Sequence, residues 1–171
     1  MTLKGRKMTM AEKTLMEQSK WLILIDCDGV LTGYKTFFNS DGKLFKVFNS
    51  RDSYAIKKLK ASGHTPVIVT SDVEAIDITE ARAKSWGVDV FGAKDKLPKV
   101  KQVMRDKSFD VVAMVGNSSE DYVCASLLDY FFVPSDARDG YESIDNLVTL
   151  SAAGGEGVIE ELEKFIRSEV K

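Results

Sequence analysis

The 171-residue sequence has few of the residues that mark disulfide-rich, nucleic-acid-binding or membrane proteins. Its two cysteines, Cys27 and Cys124, fit neither a disulfide framework nor a metal-binding spacing, so we expect a reduced intracellular protein. The formal net charge of -2 gives no electrostatic basis for binding nucleic acid. No stretch approaches the roughly 18 apolar residues that a membrane-spanning helix needs. We therefore expect neither a nucleic-acid partner nor a membrane partner.

The N-terminus is basic, and its apolar residues are scattered among polar ones. It therefore lacks the apolar core of a signal peptide, and we expect a cytoplasmic protein. Residues 1–20 are interpreted as a leader with a short helix, because Thr9 and Glu12 have the spacing of a helix capping box. Residues 21–171 are long enough to form a single domain with a sizeable core.

Predicted strands alternate with predicted helices along most of the chain, which is typical of a parallel α/β sheet with right-handed crossovers. One departure occurs where a turn at Asn39–Gly42 separates two aromatic segments. We therefore predict a Rossmann-like, doubly wound parallel sheet with a β-hairpin at about residues 34–48, inserted after the first strand. The predicted strands span 21–25, 65–70, 88–91, 109–115, 130–133 and 147–150. The predicted helices span 52–62, 73–86, 97–105, 120–128, 139–143 and 157–170.

A pair of acidic residues follows the first predicted strand. The apolar run Trp21–Ile25 is followed at once by Asp26 and Asp28, whose side chains point the same way because alternate strand residues share a face. They lie at the carboxyl edge of the sheet, where open parallel sheets bind ligands. Two converging carboxylates repel each other unless a cation or a proton lies between them. The pattern therefore indicates a site for a hard metal ion, or an aspartyl nucleophile.

Polar or charged residues follow three more predicted strands. These residues are Thr70 and Ser71, Lys94 and Lys96, and Asn117 and Asp121. In a doubly wound sheet the strand ends converge on one crevice. Carboxylates, hydroxyls and a lysine in one crevice could hold a phosphate against Mg²⁺, because phosphoryl transfer depends mostly on positioning and charge neutralisation.

These ordered motifs resemble those of the haloacid dehalogenase superfamily. Its four motifs are matched in order by Asp26–Thr32 (DxDGxxT), Thr70-Ser71, Lys96 and Gly116–Asp121. The segments Phe48–Tyr54 and Ala153–Val158 are similar to those of the 3-deoxy-D-manno-octulosonate 8-phosphate phosphatases, a subfamily with no large cap domain. The Gly116-Asn117 pair is also similar to the phosphatase-like domain of the animal enzymes that activate sialate, the sialate cytidylyltransferases.

The resemblance implies a Mg²⁺-dependent phosphatase that acts on a small sugar-acid phosphate, of the octulosonate or nonulosonate type, through an aspartyl-phosphate. It implies that Asp26 is the nucleophile and Asp28 the general acid and later the base, with Thr70 and Lys96 at the phosphoryl group. The implied metal-site residues are Asp26, Asp28 (through its backbone carbonyl), Asn117 and Asp121. The predicted substrate contacts are Gly29, Ser71 and Arg51, although Arg51 could instead pair with a nearby acid. Family members of this type are usually homotetramers, in which neighbouring hairpins close the active site.

Three positions depart from the resemblance and support an alternative function. Asn117 stands where the fourth motif usually has an acidic metal ligand, and Asp72 and Glu156 stand where the octulosonate phosphatases have arginine. The alternative is a catalytically weak or inactive phosphatase fold that serves oligomerisation or ligand binding. A phosphoacceptor receiver domain is disfavoured, because that fold has no hairpin after the first strand.

Overall fold

The apolar run Trp21–Ile25 forms strand β1, in which all five side chains are fully buried. The computed structural model describes residues 19–105 and 109–169, so the predicted leader helix falls almost wholly outside the described residues. Strand β1 pairs in parallel with a strand on each side. Burial on both faces explains why the run shows no alternation of apolar and polar residues.

Strand β1 lies near the middle of a six-stranded sheet with the order β5-β4-β1-β6-β7-β8, and every pairing in it is parallel. Its other strands are β4 (Thr65–Thr70), β5 (Asp89–Gly92), β6 (Val111–Val115), β7 (Tyr130–Val133) and β8 (Leu147–Thr149). The chain runs outward from β1 through β4 to β5 and then returns to β6 on the other side. The predicted doubly wound sheet is therefore confirmed. The order reverses at β1, which places a ligand crevice at its carboxyl end.

Helices cover both faces of this sheet. They are α1 (Ser50–Ala61), α2 (Ile76–Lys84), α3 (Lys96–Arg105), α4 (Ser119–Tyr122) and α5 (Val158–Glu169), with a 3₁₀ turn at Ala125–Leu127. Buried residues of α1 and α5, such as Ile56 and Leu162, pack in one core with Ile23. Val100 of α3 packs with Leu24 in a second core on the opposite face.

The predicted hairpin is present as a separate two-stranded antiparallel sheet. Strands β2 (Phe37–Asn39) and β3 (Gly42–Phe45) are shorter than the predicted 34–48 segment. Gly42 takes a φ of +121°, which a residue with a side chain rarely adopts. The rings of Phe37 and Phe45 stack with centroids 4.4 Å apart. Phe38 is 66% exposed, so the hairpin presents apolar surface to its surroundings.

The prediction that Asp52 caps the first helix of the domain is wrong. Helix α1 begins at Ser50, and its N-cap is Asn49, whose side chain accepts a hydrogen bond from the Arg51 N–H at 3.0 Å. Asp52 therefore does not cap its own helix. Its Oδ1 accepts hydrogen bonds from the N–H groups of Ile159 and Glu160 at the start of α5.

The short helix predicted at residues 139–143 is a series of bends and turns. The helix predicted at residues 120–128 is divided into α4 and the 3₁₀ turn. Within the two described ranges, no helix has the length and apolar character needed to cross a bilayer.

Candidate active site

The candidate site lies at the carboxyl ends of the three central strands. Asp26 directly follows β1, and its backbone N–H donates to the Val115 carbonyl of β6 at 3.0 Å. Thr70 is the last residue of β4, and Asn117 follows β6 by two residues. Thr70 and Asn117 are almost completely buried, and Asp26 is 6% exposed. The sheet topology therefore brings together three of the residues singled out in the sequence.

Lys96 joins this cluster from the first turn of α3. Its Nζ lies 2.6 Å from Asp26 Oδ1 and 2.6 Å from Asp121 Oδ1, and its side chain is only 1% exposed. Although burial acts to lower it, the two carboxylates raise the pKa of Lys96. Burial and the charge of Asp121 raise the pKa of Asp26 to about 7, against the lowering effect of Lys96. One ammonium group thus serves two buried acids, which leaves an excess of negative charge.

Asp121 uses both carboxylate oxygens inside the protein. Its Oδ1 accepts from Lys96, and its Oδ2 accepts from the backbone N–H groups of Asn117 at 2.9 Å and Ser118 at 3.3 Å. Gly116 fits closely against it, since an added Cβ would lie 2.4 Å from the Cβ of Asp121. Asp121 therefore holds Lys96 and the loop after β6 in place.

The Asn117 amide faces two other oxygens of the site. One of its two terminal atoms lies 3.2 Å from the Asp28 carbonyl oxygen and 2.9 Å from Asp26 Oδ2, and the other lies 2.9 Å from Tyr34 Oη. With the nitrogen toward Asp26, the amide donates two hydrogen bonds and accepts one from Tyr34. With the oxygen toward Asp26, three oxygens converge and the amide nitrogen donates to Tyr34.

The second orientation fits a magnesium ion. Oxygen ligands of octahedral Mg²⁺ bind at about 2.1 Å, so adjacent ligands lie about 3 Å apart. The distances from Asn117 to Asp26 and Asp28 match this spacing. In the described part of the chain, no three His, Cys, Asp or Glu side chains are grouped as a metal site. The three oxygens that converge in this orientation belong instead to a carboxylate, a backbone carbonyl and an amide.

Asp28 points toward the hairpin, where two lysines meet it. Its Oδ2 lies 2.8 Å from Lys46 Nζ, and its Oδ1 lies 3.7 Å from Lys43 Nζ. Both lysines also pair with Asp72, Lys46 at 3.0 Å. Although partial burial acts to raise it, the hydrogen bonds from Lys43 and Lys46 hold the pKa of Asp72 below its usual range.

Sequence reasoning missed these two lysines. Lys43 lies in strand β3 and Lys46 directly follows that strand, and Asp72 stands where the octulosonate phosphatases have arginine. The sequence places Asp72 after strand β4, so no local signal indicates that these two lysines would pair with it. Lys43 and Lys46 place positive charge beside Asp72.

The remaining predicted contacts differ in how close they come to the cluster. Gly29 has a φ of +89°, and an added Cβ would lie 2.1 Å from the Asn117 amide, so a side chain there would displace Asn117. Ser71 follows Thr70, whose Oγ1 accepts from the Asp72 N–H at 3.1 Å. The Arg51 side chain is 68% exposed and lies 4.0 Å from Glu160. This distance is compatible with the ion pair that the sequence left open for Arg51, and a substrate contact of Arg51 stays a prediction.

A cavity of about 440 Å³ opens beside Asp28. Hairpin residues, including Lys43 and Lys46, form one wall, and the glycine-rich turn Gly154–Glu156 forms another. The cavity is large enough for the leaving group of a small phosphate ester, next to Asp28, Lys43 and Lys46.

Comparison with known structures identifies the fold. The chain superposes on a probable YrbI-family phosphatase from Pseudomonas syringae with a TM-score of 0.80 and 29% identity, covering 94% of this chain and 92% of that one. The chain has the fold of the haloacid dehalogenase phosphatases. It also superposes on the 3-deoxy-D-manno-octulosonate 8-phosphate phosphatase of Moraxella catarrhalis, crystallised with magnesium, phosphate and KDO. That match has a TM-score of 0.79 and 22% identity, covering 94% and 93% of the two chains.

A sequence relative supports the same resemblance. N-acylneuraminate cytidylyltransferase B of Danio rerio is 27% identical over 152 residues, which is 86% of this chain. The chain spans 36% of the length of that relative. No family model matches the chain. The sequence predicts a phosphoric monoester hydrolase with the haloacid dehalogenase fold. This prediction agrees with the two phosphatases, from Pseudomonas syringae and Moraxella catarrhalis, on which the chain superposes.

Proposed function

We propose that this chain is a Mg²⁺-dependent phosphatase that hydrolyses a small sugar-acid phosphate of the octulosonate or nonulosonate type. The observation that carries this proposal is the two-sided environment of the Asp26 carboxylate. Its Oδ1 is held by Lys96 at 2.6 Å, and its Oδ2 faces the Asn117 amide at 2.9 Å. One oxygen is thus oriented for attack beside a cation, while the other is directed at the candidate metal position.

The reaction would proceed in two displacements. Asp26 attacks phosphorus and forms an aspartyl-phosphate as the bond to the leaving alcohol breaks. Asp28 gives its proton to the departing oxygen, and then takes a proton from the water that attacks the aspartyl-phosphate and releases inorganic phosphate. Thr70 donates its hydroxyl to the phosphoryl oxygens. Lys96 neutralises charge on both Asp26 and the phosphoryl group.

The metal ion would be held by Asp26 Oδ2, the Asp28 backbone carbonyl and the Asn117 side-chain oxygen. When bound, Mg²⁺ supplies positive charge that offsets the repulsion between a carboxylate nucleophile and a phosphate dianion. Asp121 would not contact the metal ion directly, because its oxygens accept hydrogen bonds from Lys96, Asn117 and Ser118. It would orient the groups that surround the ion.

The substrate class is supported by the cavity beside Asp28. A sugar acid carries a carboxylate as well as its phosphate, and on the cavity wall Lys43 and Lys46 would share their positive charge between that carboxylate and their partners Asp28 and Asp72. Similarity to the Moraxella catarrhalis phosphatase, which was crystallised with phosphate and KDO, points to the same class.

Turnover of a panel of sugar-acid phosphates and p-nitrophenyl phosphate, with and without Mg²⁺, tests the proposal. We expect Mg²⁺-dependent phosphate release that Asp26→Asn abolishes. Asp89→Asn is a matched control, because Asp89 is exposed at the start of β5, remote from the site. A wild-type protein that binds Mg²⁺ and hydrolyses no member of the panel would contradict the phosphatase function.

A second candidate function, a weak or inactive domain that serves oligomerisation or ligand binding, is favoured by the Asn117 amide. In one orientation the amide nitrogen satisfies Asp26 and the Asp28 carbonyl without any cation. Calorimetric titration separates the candidates, since binding weaker than about millimolar would favour the inactive domain.

The quaternary structure and location form part of the same proposal. Phe38 and Leu44 are 66% and 50% exposed on the hairpin, and such apolar surface is typical of an interface. We expect a homotetramer, which light scattering would test by molar mass. Cys27 and Cys124 are buried free thiols, which agrees with a cytoplasmic location.

A further inference from the structure

The orientation of the Asn117 amide depends on its partner on the side away from Asp26. That partner is the Tyr34 hydroxyl, which lies 2.9 Å from the amide whichever way the amide is turned. Tyr34 stands outside the motifs that carry the family resemblance. It nevertheless lies within hydrogen-bond distance of the least typical residue of the site.

The Tyr34 hydroxyl has a single proton, and a second contact accounts for it. Tyr34 Oη donates to the backbone carbonyl of Asp136 at 3.1 Å. A hydroxyl whose proton is used in this way can only accept from its other neighbour. While the Tyr34 hydroxyl donates to Asp136, the Asn117 amide presents its nitrogen to Tyr34 and its oxygen to Asp26 and the Asp28 carbonyl. The opposite orientation requires Tyr34 to give up its bond to Asp136.

We infer that Tyr34 is a positioning residue that turns the Asn117 amide oxygen toward the cation position; this inference rests on the metal site of the proposed function. An aspartate at position 117 would present an oxygen in either orientation, so it would need no such partner. An asparagine presents an oxygen in only one of two orientations, and in the other its N–H groups face the cation. Tyr34 thus makes a neutral amide serviceable where the fourth motif usually has an acid.

The surroundings of Tyr34 hold its ring in place. The Arg138 guanidinium lies 5.7 Å from the ring centroid. The backbone N–H of Arg138 donates to the backbone carbonyl of Asn117 at 2.9 Å. The Asp136 carboxylate accepts from the Gly154 N–H at 2.8 Å. The segment 136–138 therefore links Tyr34, Asn117 and the glycine-rich turn in one arrangement.

The test is the Mg²⁺ affinity of Tyr34→Phe, measured by calorimetry without substrate. This substitution removes only the hydroxyl from a ring that is 42% exposed, so the fold should be retained. Loss of a group that orients a metal ligand typically weakens metal binding about 10- to 100-fold. We expect a loss in that range. Tyr54→Phe is a matched control, because Tyr54 is a 64% exposed tyrosine on α1, and it should bind Mg²⁺ like the wild type.

A double-mutant cycle with Asn117→Asp separates orientation from general disturbance. In the Asn117→Asp background there is no amide to orient, so adding Tyr34→Phe should weaken Mg²⁺ binding by no more than about threefold. Equal losses in both backgrounds, or no loss in the wild-type background, would overturn the inference.

The outcome is distinguishable from failure of the phosphatase proposal. If Tyr34→Phe weakens Mg²⁺ binding while the wild type hydrolyses no phosphate ester, the inference stands and the enzymatic function fails. If the wild type is an active phosphatase and Tyr34→Phe binds Mg²⁺ normally, only the inference fails. Absence of Mg²⁺ binding in the wild type would overturn both.

Discussion

The ammonium group of Lys46 lies 2.8 Å from Asp28 Oδ2, so the residue that directly follows strand β3 contacts the proposed general acid. The same Nζ lies 3.0 Å from Asp72 Oδ2 and donates to Thr79 Oγ1 at 3.1 Å. The Lys46 side chain is only 3% exposed. It therefore joins the hairpin, the strand end after β4 and helix α2 around Asp28.

Replacing Lys46 by methionine should lower kcat/KM for a phosphate ester by about 100-fold, because an active-site group displaced by about 1 Å loses that much rate. Methionine keeps most of the apolar stem but leaves Asp28 and Asp72 without their shared cation. Steady-state kinetics measure the effect, and Lys57→Met is a matched control at an exposed position of α1. Activity of Lys46→Met within about twofold of the control would refute this role for the lysine.

Substituting Asn117 by aspartate should strengthen Mg²⁺ binding by about tenfold or more, since affinity rises with the charge of the ligands. Without metal, the same change adds a carboxylate next to Asp26 and should lower the melting temperature. The two effects together predict a larger Mg²⁺-induced increase in melting temperature than in the wild type. Calorimetry and thermal denaturation with EDTA or Mg²⁺ measure both, and an unchanged affinity would exclude Asn117 from the metal site.

Much of the sheet was predictable because its central strands are continuous apolar runs. Strands β1, β4 and β7 have the predicted bounds Trp21–Ile25, Thr65–Thr70 and Tyr130–Val133. The strand ends could also be expected to converge, since parallel strands share one carboxyl edge. The predicted cluster of Asp26, Thr70, Lys96 and Asn117 follows from this topology.

The contacts that were missed depend on how the chain folds back in space. Tyr34, Lys43 and Lys46 reach the site because the segment that contains the hairpin folds back to Asp28 and Asn117, and no local periodicity encodes that arrangement. Asp52 has the sequence features of a helix cap, yet its partners stand more than a hundred residues later, at Ile159 and Glu160. Local rules identify such side chains as polar but do not show which backbone they will satisfy.

Asp52→Ala should lower the free energy of unfolding by about 1–2 kcal/mol, the usual effect of losing a side chain that caps a helix start. Asp52 joins α1 to α5 through a 2.8 Å hydrogen bond from the Ile159 N–H, and it is 1% exposed. Urea denaturation measures the change. Asp77→Ala removes an exposed acid in the first turn of α2 and should cost less than about 0.5 kcal/mol. Equal effects of the two substitutions would argue against the capping role.

Lys96→Met should destabilise the metal-free protein by about 3–5 kcal/mol, because it leaves Asp26 and Asp121 buried without a cation. Adding Asp121→Asn removes one of the two charges and should recover part of the loss. Urea denaturation in EDTA at neutral pH measures both variants, since a bound cation would offset the missing ammonium group. If the double variant were less stable than Lys96→Met alone, charge would not be the cause.

Protonation of the single histidine should lower the free energy of unfolding at acidic pH. His64 Nδ1 accepts a hydrogen bond from the backbone N–H of Trp21 at 3.4 Å. Burial lowers the pKa of His64 below its ordinary value of about 6.5. A group whose pKa is depressed on folding contributes stability above its unfolded pKa and loses it as the pH falls.

The free energy of unfolding of the wild type, relative to His64→Asn, should therefore fall as the pH decreases from about 6.5 through the folded-state pKa of His64. Asparagine retains an acceptor for the Trp21 N–H and does not titrate. Burial raises the pKa values of Asp26 to about 7 and Asp52 to about 6, so these acids add stability as the pH falls, in the opposite direction. Both proteins share them, so their contributions cancel in the difference. A difference that stays constant between about pH 7.5 and 5 would show that His64 has the same pKa in the folded and unfolded states.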